Sequence, residues 1–142
     1  MKKIIFLIIL LVSACNSTAP NFLPVGNNLP EGIVDQDYLT EVEVTNAILF
    51  KDNVGVDISP PEAGLKWNPK VTTLKRGGAE RVDEDYHYII ISGKPKKTGE
   101  ILVHINGYSM GTMTPGSKID KIYVIKIKSD KNRMICKCRA KL

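Results

Sequence analysis

The chain of 142 residues is 43% hydrophobic and 25% charged, which is typical of one globular domain with a sizeable core. Its three cysteines are too few for a framework of paired disulfides, so the core must hold the domain together. The formal net charge of +5 is concentrated near the carboxyl terminus, because segment 126–142 has seven basic residues and one acid. The basic balance therefore does not indicate nucleic-acid binding by the whole protein, and we predict no nucleic-acid partner.

The first 14 residues have the pattern of a secretory signal peptide. Lys2 and Lys3 precede an unbroken apolar run over residues 4–12, and small residues follow at 13 and 14. The apolar run is too short to span a bilayer, which takes about 20 residues. We therefore predict that residues 1–14 are a signal peptide that is removed on export.

The segment Val12-Ser13-Ala14-Cys15 resembles the lipobox of bacterial lipoproteins. The resemblance implies cleavage before Cys15 and fatty acyl chains, such as palmitate, on its sulfur and its amino group. Cys15 is then the lipid attachment site, and a membrane of the bacterial envelope is the first partner. Asn16 follows Cys15, where the inner-membrane retention signal of enteric bacteria has an aspartate. The resemblance therefore favours the outer membrane if the host is Gram-negative.

Residues 15–28 are predicted to form a flexible tether between the lipid and the domain. The segment is polar and rich in Pro, Gly and Asn, and its apolar residues follow no regular period. The alternative is an ordered first strand through Phe22 and Leu23.

Residues 29–128 have the pattern of a single all-β domain. Apolar and polar residues alternate at a period of two in short runs, which indicates half-buried strands. The predicted strands are 38–44, 47–50, 54–58, 65–67, 71–74, 86–92, 100–108 and 119–128. Prolines exclude 59–64 from the middle of a sheet, and 76–81 and 109–117 are predicted to be loops. No window of helical length has a sustained period of 3.6, so we predict an antiparallel β-sandwich.

Two segments of this region resemble a known pattern. The first is Leu29-Pro30-Glu31-Gly32 followed by Asp37-Tyr38, and the second is Ile91-Ser92-Gly93-Lys94-Pro95-Lys96-Lys97-Thr98-Gly99-Glu100-Ile101. Together they resemble the immunoglobulin-like (cadherin-like) domains of bacterial surface proteins, in which a strand ends in Ser-Gly-x-Pro and a Thr-Gly turn opens the next strand. The resemblance implies an immunoglobulin-like sandwich over 29–128. It also implies a non-catalytic module that serves as a spacer, an adhesive unit or a docking surface.

No set of residues has the spacing of a catalytic, cofactor or metal site. His87 and His104 each lie in a predicted strand, and a metal site would need both to meet a third ligand such as Asp83, Asp85 or a cysteine of the tail. The cluster Asp83-Glu84-Asp85 lacks the second half of a calcium site between domains. No serine lies in Gly-x-Ser-x-Gly, and no glycine loop has the residues that hold a phosphate. We predict no enzyme activity, and the alternative is an enzyme with an unrecognised site.

Residues 129–142 form a basic tail that contains Cys136 and Cys138. A disulfide between these two cysteines would be strained, so they are predicted to be free thiols, a cross-link to another chain or ligands of a soft metal. The basic charge indicates either a solvated terminus or a contact with anionic lipid headgroups or another polyanion.

Five aromatic residues are expected to lie in the core or on a sheet face, or to anchor a partner where they are exposed. They are Trp67, Tyr86, Tyr88, Tyr108 and Tyr123.

The sequence as a whole predicts a lipid-anchored envelope protein that acts as a binding or assembly module, with an envelope protein as its second partner. The alternative is a small periplasmic inhibitor or immunity-type lipoprotein that blocks an enzyme by inserting the loop 76–81 or the tail. The sequence specifies neither the identity of the partner, nor the strand order, nor the oligomeric state.

Overall fold

The computed structural model describes residues 19–111 and 115–130. Its regular structure consists of eight strands and one short 3-10 turn, Pro61–Ala63. The strands are β1 (Asn21–Leu23), β2 (Gly32–Ile33), β3 (Tyr38–Thr45), β4 (Val54–Ser59), β5 (Leu65–Arg76), β6 (Ala79–Gly93), β7 (Gly99–Tyr108) and β8 (Lys118–Lys128).

The strands form two four-stranded sheets. One sheet has the order β1-β3-β6-β5, and the other has the order β2-β8-β7-β4. All pairs are antiparallel except β2 with β8, which is parallel. With β1 and β2 taken as the two halves of a divided first strand, this is the strand order of an immunoglobulin-type sandwich. The predicted all-β sandwich is confirmed, and the structure supplies its strand order.

The core lies between the two sheets and consists of alternate residues of each strand. In β7, Ile101, Val103 and Ile105 are buried, whereas Leu102 between them is exposed. The completely buried side chains with the largest volumes are Tyr123, Ile89, Ile91, Ile105, Ile119, Ile125, Val42, Val44 and Val103. The period of two therefore predicts the inward face correctly in the long strands, because adjacent side chains of a strand point to opposite faces.

The first described residues belong to the sandwich, and this corrects the predicted tether of 15–28 over residues 19–28, whereas 15–18 lie outside the described residues. Strand β1 pairs with β3 along its whole length, as the alternative prediction had it. Asn28 forms a bridge with Val124, and the Tyr123 hydroxyl donates a hydrogen bond to the Pro24 carbonyl oxygen at 2.8 Å. Composition missed these contacts because most of them use backbone atoms, which leave no apolar period in the sequence.

The predicted strand 47–50 is wrong. These residues belong to the connection between β3 and β4. The Asn53 side chain accepts a hydrogen bond from the Phe50 N–H at 2.7 Å and donates one to the Ile48 carbonyl oxygen at 3.1 Å. A local side-chain contact thus replaces strand pairing, which is a common role of Asn in turns.

The predictions for the middle of the chain also need correction. The two short strands predicted at 65–67 and 71–74 are one continuous strand, β5. The predicted loop 76–81 is a tight turn, because β6 begins at Ala79 and includes the acidic cluster that was expected to precede it. Pro69 lies inside β5 without interrupting it because β5 is an edge strand, where a residue that lacks an N–H is tolerated.

We call the two ends of the sandwich the N pole and the C pole. The N pole comprises Asn21, which pairs with Thr45, and the adjoining residues 46–53, 109–111 and 115–117. The C pole is the opposite end, where β2 pairs with the last residues of β8 up to Lys128. The described chain therefore begins at one pole and ends at the other.

Candidate functional site

The most prominent exposed feature is a two-stranded arm formed by residues 70–85. The last pair between β3 and β6 is Glu43 with Tyr88, and beyond it β6 pairs only with β5. The β6 side chains from 79 to 84 are all exposed, so neither face of this part of the arm is covered. Because β3 ends at the N pole, the arm extends outward from that pole.

The arm closes with a tight turn at Gly77 and Gly78. Arg76 and Ala79 form the last pair of the ladder, and only the two glycines lie between them. Both glycines have positive φ, 61° and 82°, as a hairpin turn of two residues requires. An added Cβ at either position would meet no atom within 4 Å, so backbone conformation and not space favours glycine here.

Charged side chains dominate the surface of the arm. Lys75 Nζ lies 2.9 Å from Glu80 Oε1 across the two strands. Val71 and Val82 occupy the same face and are 60% and 67% exposed. Two isolated valines do not make a large apolar patch, so the surface of the arm suits a polar or charged partner.

A bulge and a buried tyrosine hold the base of the arm. The register between β5 and β6 shifts between Pro69 and Lys70, and residues 86–88 are left without partners in β5. Tyr86 turns into the core, and its hydroxyl donates a 2.6 Å hydrogen bond to the Glu84 carboxylate. This hydrogen bond, together with burial, raises the pKa of Tyr86 to about 12.

His87 connects the base of the arm to the N-pole connection 46–53. Its Nε2 lies 2.9 Å from the Ala47 carbonyl oxygen, and its Nδ1 lies 2.8 Å from Asp85 Oδ1. Partial burial raises the pKa of Asp85, but the hydrogen bonds from the backbone and ring of His87 outweigh it and lower this pKa overall. The base of the arm is thus fixed to the sandwich on two sides.

A second surface is the outer face of the β2-β8-β7-β4 sheet. Leu102 is paired with Val124, and Ile122 lies one pair away on the same face of β8. Leu102 and Ile122 are 44% and 49% exposed, and Val124 is half-buried. We call these three residues the apolar strip.

Polar side chains at one border of the apolar strip bond to one another. The Asp120 carboxylate lies 2.6 Å from Lys118 Nζ and 2.8 Å from His104 Nε2. These hydrogen bonds, first from Lys118 and then from His104, hold the pKa of Asp120 below its usual value. The Asn106 side chain donates to the Asp57 carboxylate at 2.7 Å.

The structure does not bring the two histidines together. His87 lies in β6 and His104 in β7, and these strands belong to different sheets. Each ring contacts its own carboxylate, Asp85 or Asp120. Within residues 19–111 and 115–130, no three His, Cys, Asp or Glu side chains are placed to hold a metal ion.

The five aromatic residues divide between the core and the surface. Tyr86 and Tyr123 are buried, and Trp67 packs partly against the core. Tyr88 is half-buried on the outer face of its sheet, where Lys70 Nζ lies 4.4 Å from its ring centroid. Tyr108 is exposed at the N pole.

The predicted lipid site Cys15, the signal peptide 1–14 and the cysteines Cys136 and Cys138 lie outside the described residues. The part of the chain that the structure describes contains no helix that is both long and apolar enough to cross a membrane.

Comparison with known proteins found no matching family model, no matching curated protein and no matching solved structure. Functional interpretation therefore depends on the two surfaces and on the N-terminal sequence pattern.

The arm was missed in the sequence because its two strands contribute little to the core. Most described side chains of the segment 70–85 are exposed, so its apolar alternation is weak. Its acidic cluster was expected to precede a strand and not to be part of one. The signal that could have identified it is the pair Gly77-Gly78 between two strand-like runs, which is typical of a hairpin turn.

Proposed function

We propose that the protein is a lipid-anchored module of a bacterial envelope that binds an envelope protein and performs no catalysis. Lipid at Cys15 holds the domain at a membrane, where a weak contact suffices because the partner is held nearby. Acyl chains on both the sulfur and the amino group make the attachment stable, whereas a single chain binds only marginally. Because Asn16 follows Cys15, the outer membrane is the proposed location in a Gram-negative host.

The observation that carries the binding role is the apolar strip. Leu102, Ile122 and Val124 lie on β7 and β8, which are the two inner strands of their sheet and therefore a rigid platform. An apolar centre bordered by polar residues is the composition of protein contact surfaces. The polar side chains at one border already bond to one another, so a partner can cover that border without leaving them unpaired.

The anchor is tested by changing its cysteine. Cys15→Ala is expected to move the protein from the membrane fraction to the soluble periplasmic fraction or to leave it as an unprocessed precursor. Mass spectrometry of the native protein should show a lipid-modified Cys15 as the first residue. An unmodified amino terminus would reject the anchor.

The contact surface is tested by placing charge on the apolar strip. When the native protein is purified from a mild-detergent extract of the envelope, its partner protein is expected to co-purify with it. The double variant Leu102→Glu, Ile122→Glu should no longer co-purify with this partner. Leu39→Glu is the matched control, since Leu39 is exposed on the outer face of the other sheet. Equal loss with the control, or no loss with the double variant, would place the contact elsewhere.

The arm favours a second candidate function, an inhibitor that blocks an enzyme by inserting the tip around Gly77 and Gly78. A narrow ribbon that projects from a rigid body can enter a cleft that the body cannot. In this case the purified protein should inhibit an envelope hydrolase in a substrate panel, and a variant with a shortened arm should not.

A further inference from the structure

The first strand of the described chain and the arm start from the same end of the sandwich. Strand β1 begins at the N pole, where Asn21 pairs with Thr45. The arm 70–85 leaves the sandwich at that pole, beyond the pair of Glu43 with Tyr88. The orientation of the sandwich on the membrane rests on the proposed function, because it takes Cys15 as the lipid attachment site.

The chain between the lipid and the sandwich is short. Six residue steps separate Cys15 from Asn21. A fully extended chain covers at most about 3.6 Å per residue, so Asn21 lies within about 20 Å of the lipidated residue. With lipid at Cys15, the N pole therefore stays close to the bilayer.

The length of the arm is similar to the maximum length of the chain between Cys15 and Asn21. Each strand of the arm has seven residues, 70–76 and 79–85. At about 3.3 Å per residue, the arm extends roughly 20 Å from its base to the turn. The tip of the arm therefore comes within reach of the lipid headgroups.

Charge differs between the two ends of the arm. The tip segment 74–81 has three basic residues and one acid, whereas the base, formed by 70–73 and 82–85, has three acids and one basic residue, Lys70. Lys75 and Arg81 are both exposed near the turn. Each basic side chain close to an anionic bilayer strengthens binding roughly fivefold.

We propose that the tip of the arm, through Lys75 and Arg81, contacts the anionic lipid headgroups of the membrane that holds the anchor. The arm acts as a strut that sets the orientation of the sandwich on the bilayer. Strand β8 runs away from this surface for 11 residues, about 35 Å, to Lys128 at the C pole. The basic tail thus begins on the side that faces away from the bilayer.

The test uses the native lipidated protein in vesicles, after mass spectrometry has confirmed the lipid on Cys15. A photoreactive amino acid replaces Ala79 at the tip in one variant and Glu62 at the C pole in another. In vesicles that contain one part phosphatidylglycerol to about two parts phosphatidylcholine, we expect at least tenfold more lipid adduct from position 79 than from position 62. Lys75→Gln with Arg81→Gln should lower the adduct at position 79 severalfold, as should high salt or phosphatidylcholine alone.

The matched control is the double variant Lys66→Gln, Lys97→Gln, which removes the same charge from exposed positions at the C pole. It should leave the adduct at position 79 unchanged. Equal lipid adducts at both poles, no effect of the tip variants, or adducts to a second copy or to another protein would each overturn the strut. An unmodified Cys15 would reject the proposed function itself, which separates the two failures.

Discussion

Two tyrosine hydroxyls hold the first described segment onto the sandwich. Tyr38 donates to the Pro30 carbonyl oxygen at 2.9 Å, and Tyr123 donates to the Pro24 carbonyl oxygen at 2.8 Å. Burial raises the pKa of Tyr38 to about 12, and a hydrogen bond with Thr40 offsets only part of this effect. Burial also raises the pKa of Tyr123. The neutral hydroxyls are therefore part of what stabilises the fold.

The raised pKa of Tyr38 predicts a loss of stability at high pH. Its contribution is complete below the unfolded pKa of about 10 and is lost as the pH rises through the folded value of about 12. Tyr38→Phe should lower the free energy of unfolding by about 1 kcal/mol at pH 7, since one hydrogen bond is lost. It should also reduce the fall in stability between pH 10 and 12, as measured by urea unfolding. The exposed Tyr108→Phe is the control, and an unchanged alkaline profile in Tyr38→Phe would contradict the prediction.

Gly93 and Gly99 both lie in the segment that resembles the immunoglobulin-like pattern, but the structure gives them different constraints. Gly93 has a φ of 140°, and a Cβ there would overlap the Gly64 carbonyl oxygen. Gly99 has a φ of 130°, and a Cβ there would meet no atom within 4 Å. Backbone conformation requires glycine at both positions, and close packing requires it only at Gly93.

This difference predicts unequal effects of two alanine substitutions. Gly93→Ala should cost about 2–4 kcal/mol, because it adds overlap with a neighbouring backbone to conformational strain. Gly99→Ala should cost about 1–2 kcal/mol, from strain alone. Thermal and urea unfolding of the two variants measure the difference, and equal losses would show that the overlap at Gly93 is relieved by movement of the chain.

At the scale of elements, β5 and β6 serve two purposes. Their inner halves complete a sheet, where Ile89 and Ile91 are fully buried, and their outer halves form the arm. The bulge at residues 86–88 separates the two parts, since a bulge bends a strand and interrupts its pairing. The edge of β5 carries Lys66, Lys70 and Pro69, which discourage pairing with another chain.

The separation of the arm from the core predicts that it can be shortened without unfolding the domain. Val71 and Glu84 are paired across the arm, so replacing 72–83 with Asn-Gly joins them by a two-residue turn. The free energy of unfolding should change by less than about 1 kcal/mol, because the side chains of residues 72, 73, 75 and 79–83 are exposed or half-buried. Urea unfolding measures this change. A loss of several kcal/mol would mean that the arm packs on the sandwich in solution.

At the scale of the molecule, the short path from Cys15 to β1 matters most. A tether that ended at residue 28 would let the domain move far from its lipid. The segment 19–29 instead packs along the sandwich and ends with the buried residue Leu29. With lipid at Cys15 as proposed, only six residue steps would connect it to β1, which would restrict the orientation of the domain at a membrane.

This role for the N-terminal segment predicts a difference between two nearby apolar residues. Leu29→Ala should cost about 2–4 kcal/mol, because it leaves a cavity in the core. Val25→Ala should have an effect within about 0.5 kcal/mol, because Val25 is largely exposed. Chemical unfolding of both variants checks this contrast. A small effect of Leu29→Ala would contradict the packing of Leu29 in the core.

Much of the fold was predictable because alternation in β3, β7 and β8 directly reports which face is buried. The candidate surfaces were less predictable. Leu102 and Ile122 occur on the polar side of their strands, so the strip is visible only when β7 and β8 are placed side by side. Most described side chains of the arm are exposed, so its sequence shows little alternation of apolar and polar residues.

The sequence by itself determined the fold class and the inward face of the long strands, because these depend on local residue order, and the prediction of a lipid site at Cys15 comes from the sequence alone. Only the tertiary structure decided which strands are neighbours, where β1 and β2 attach, and at which pole the arm and the two ends of the described chain, near residues 19 and 130, lie. These features arise from contacts between residues far apart in the chain. A period of two shows that a strand has an inside and an outside, but it does not show what lies across from it.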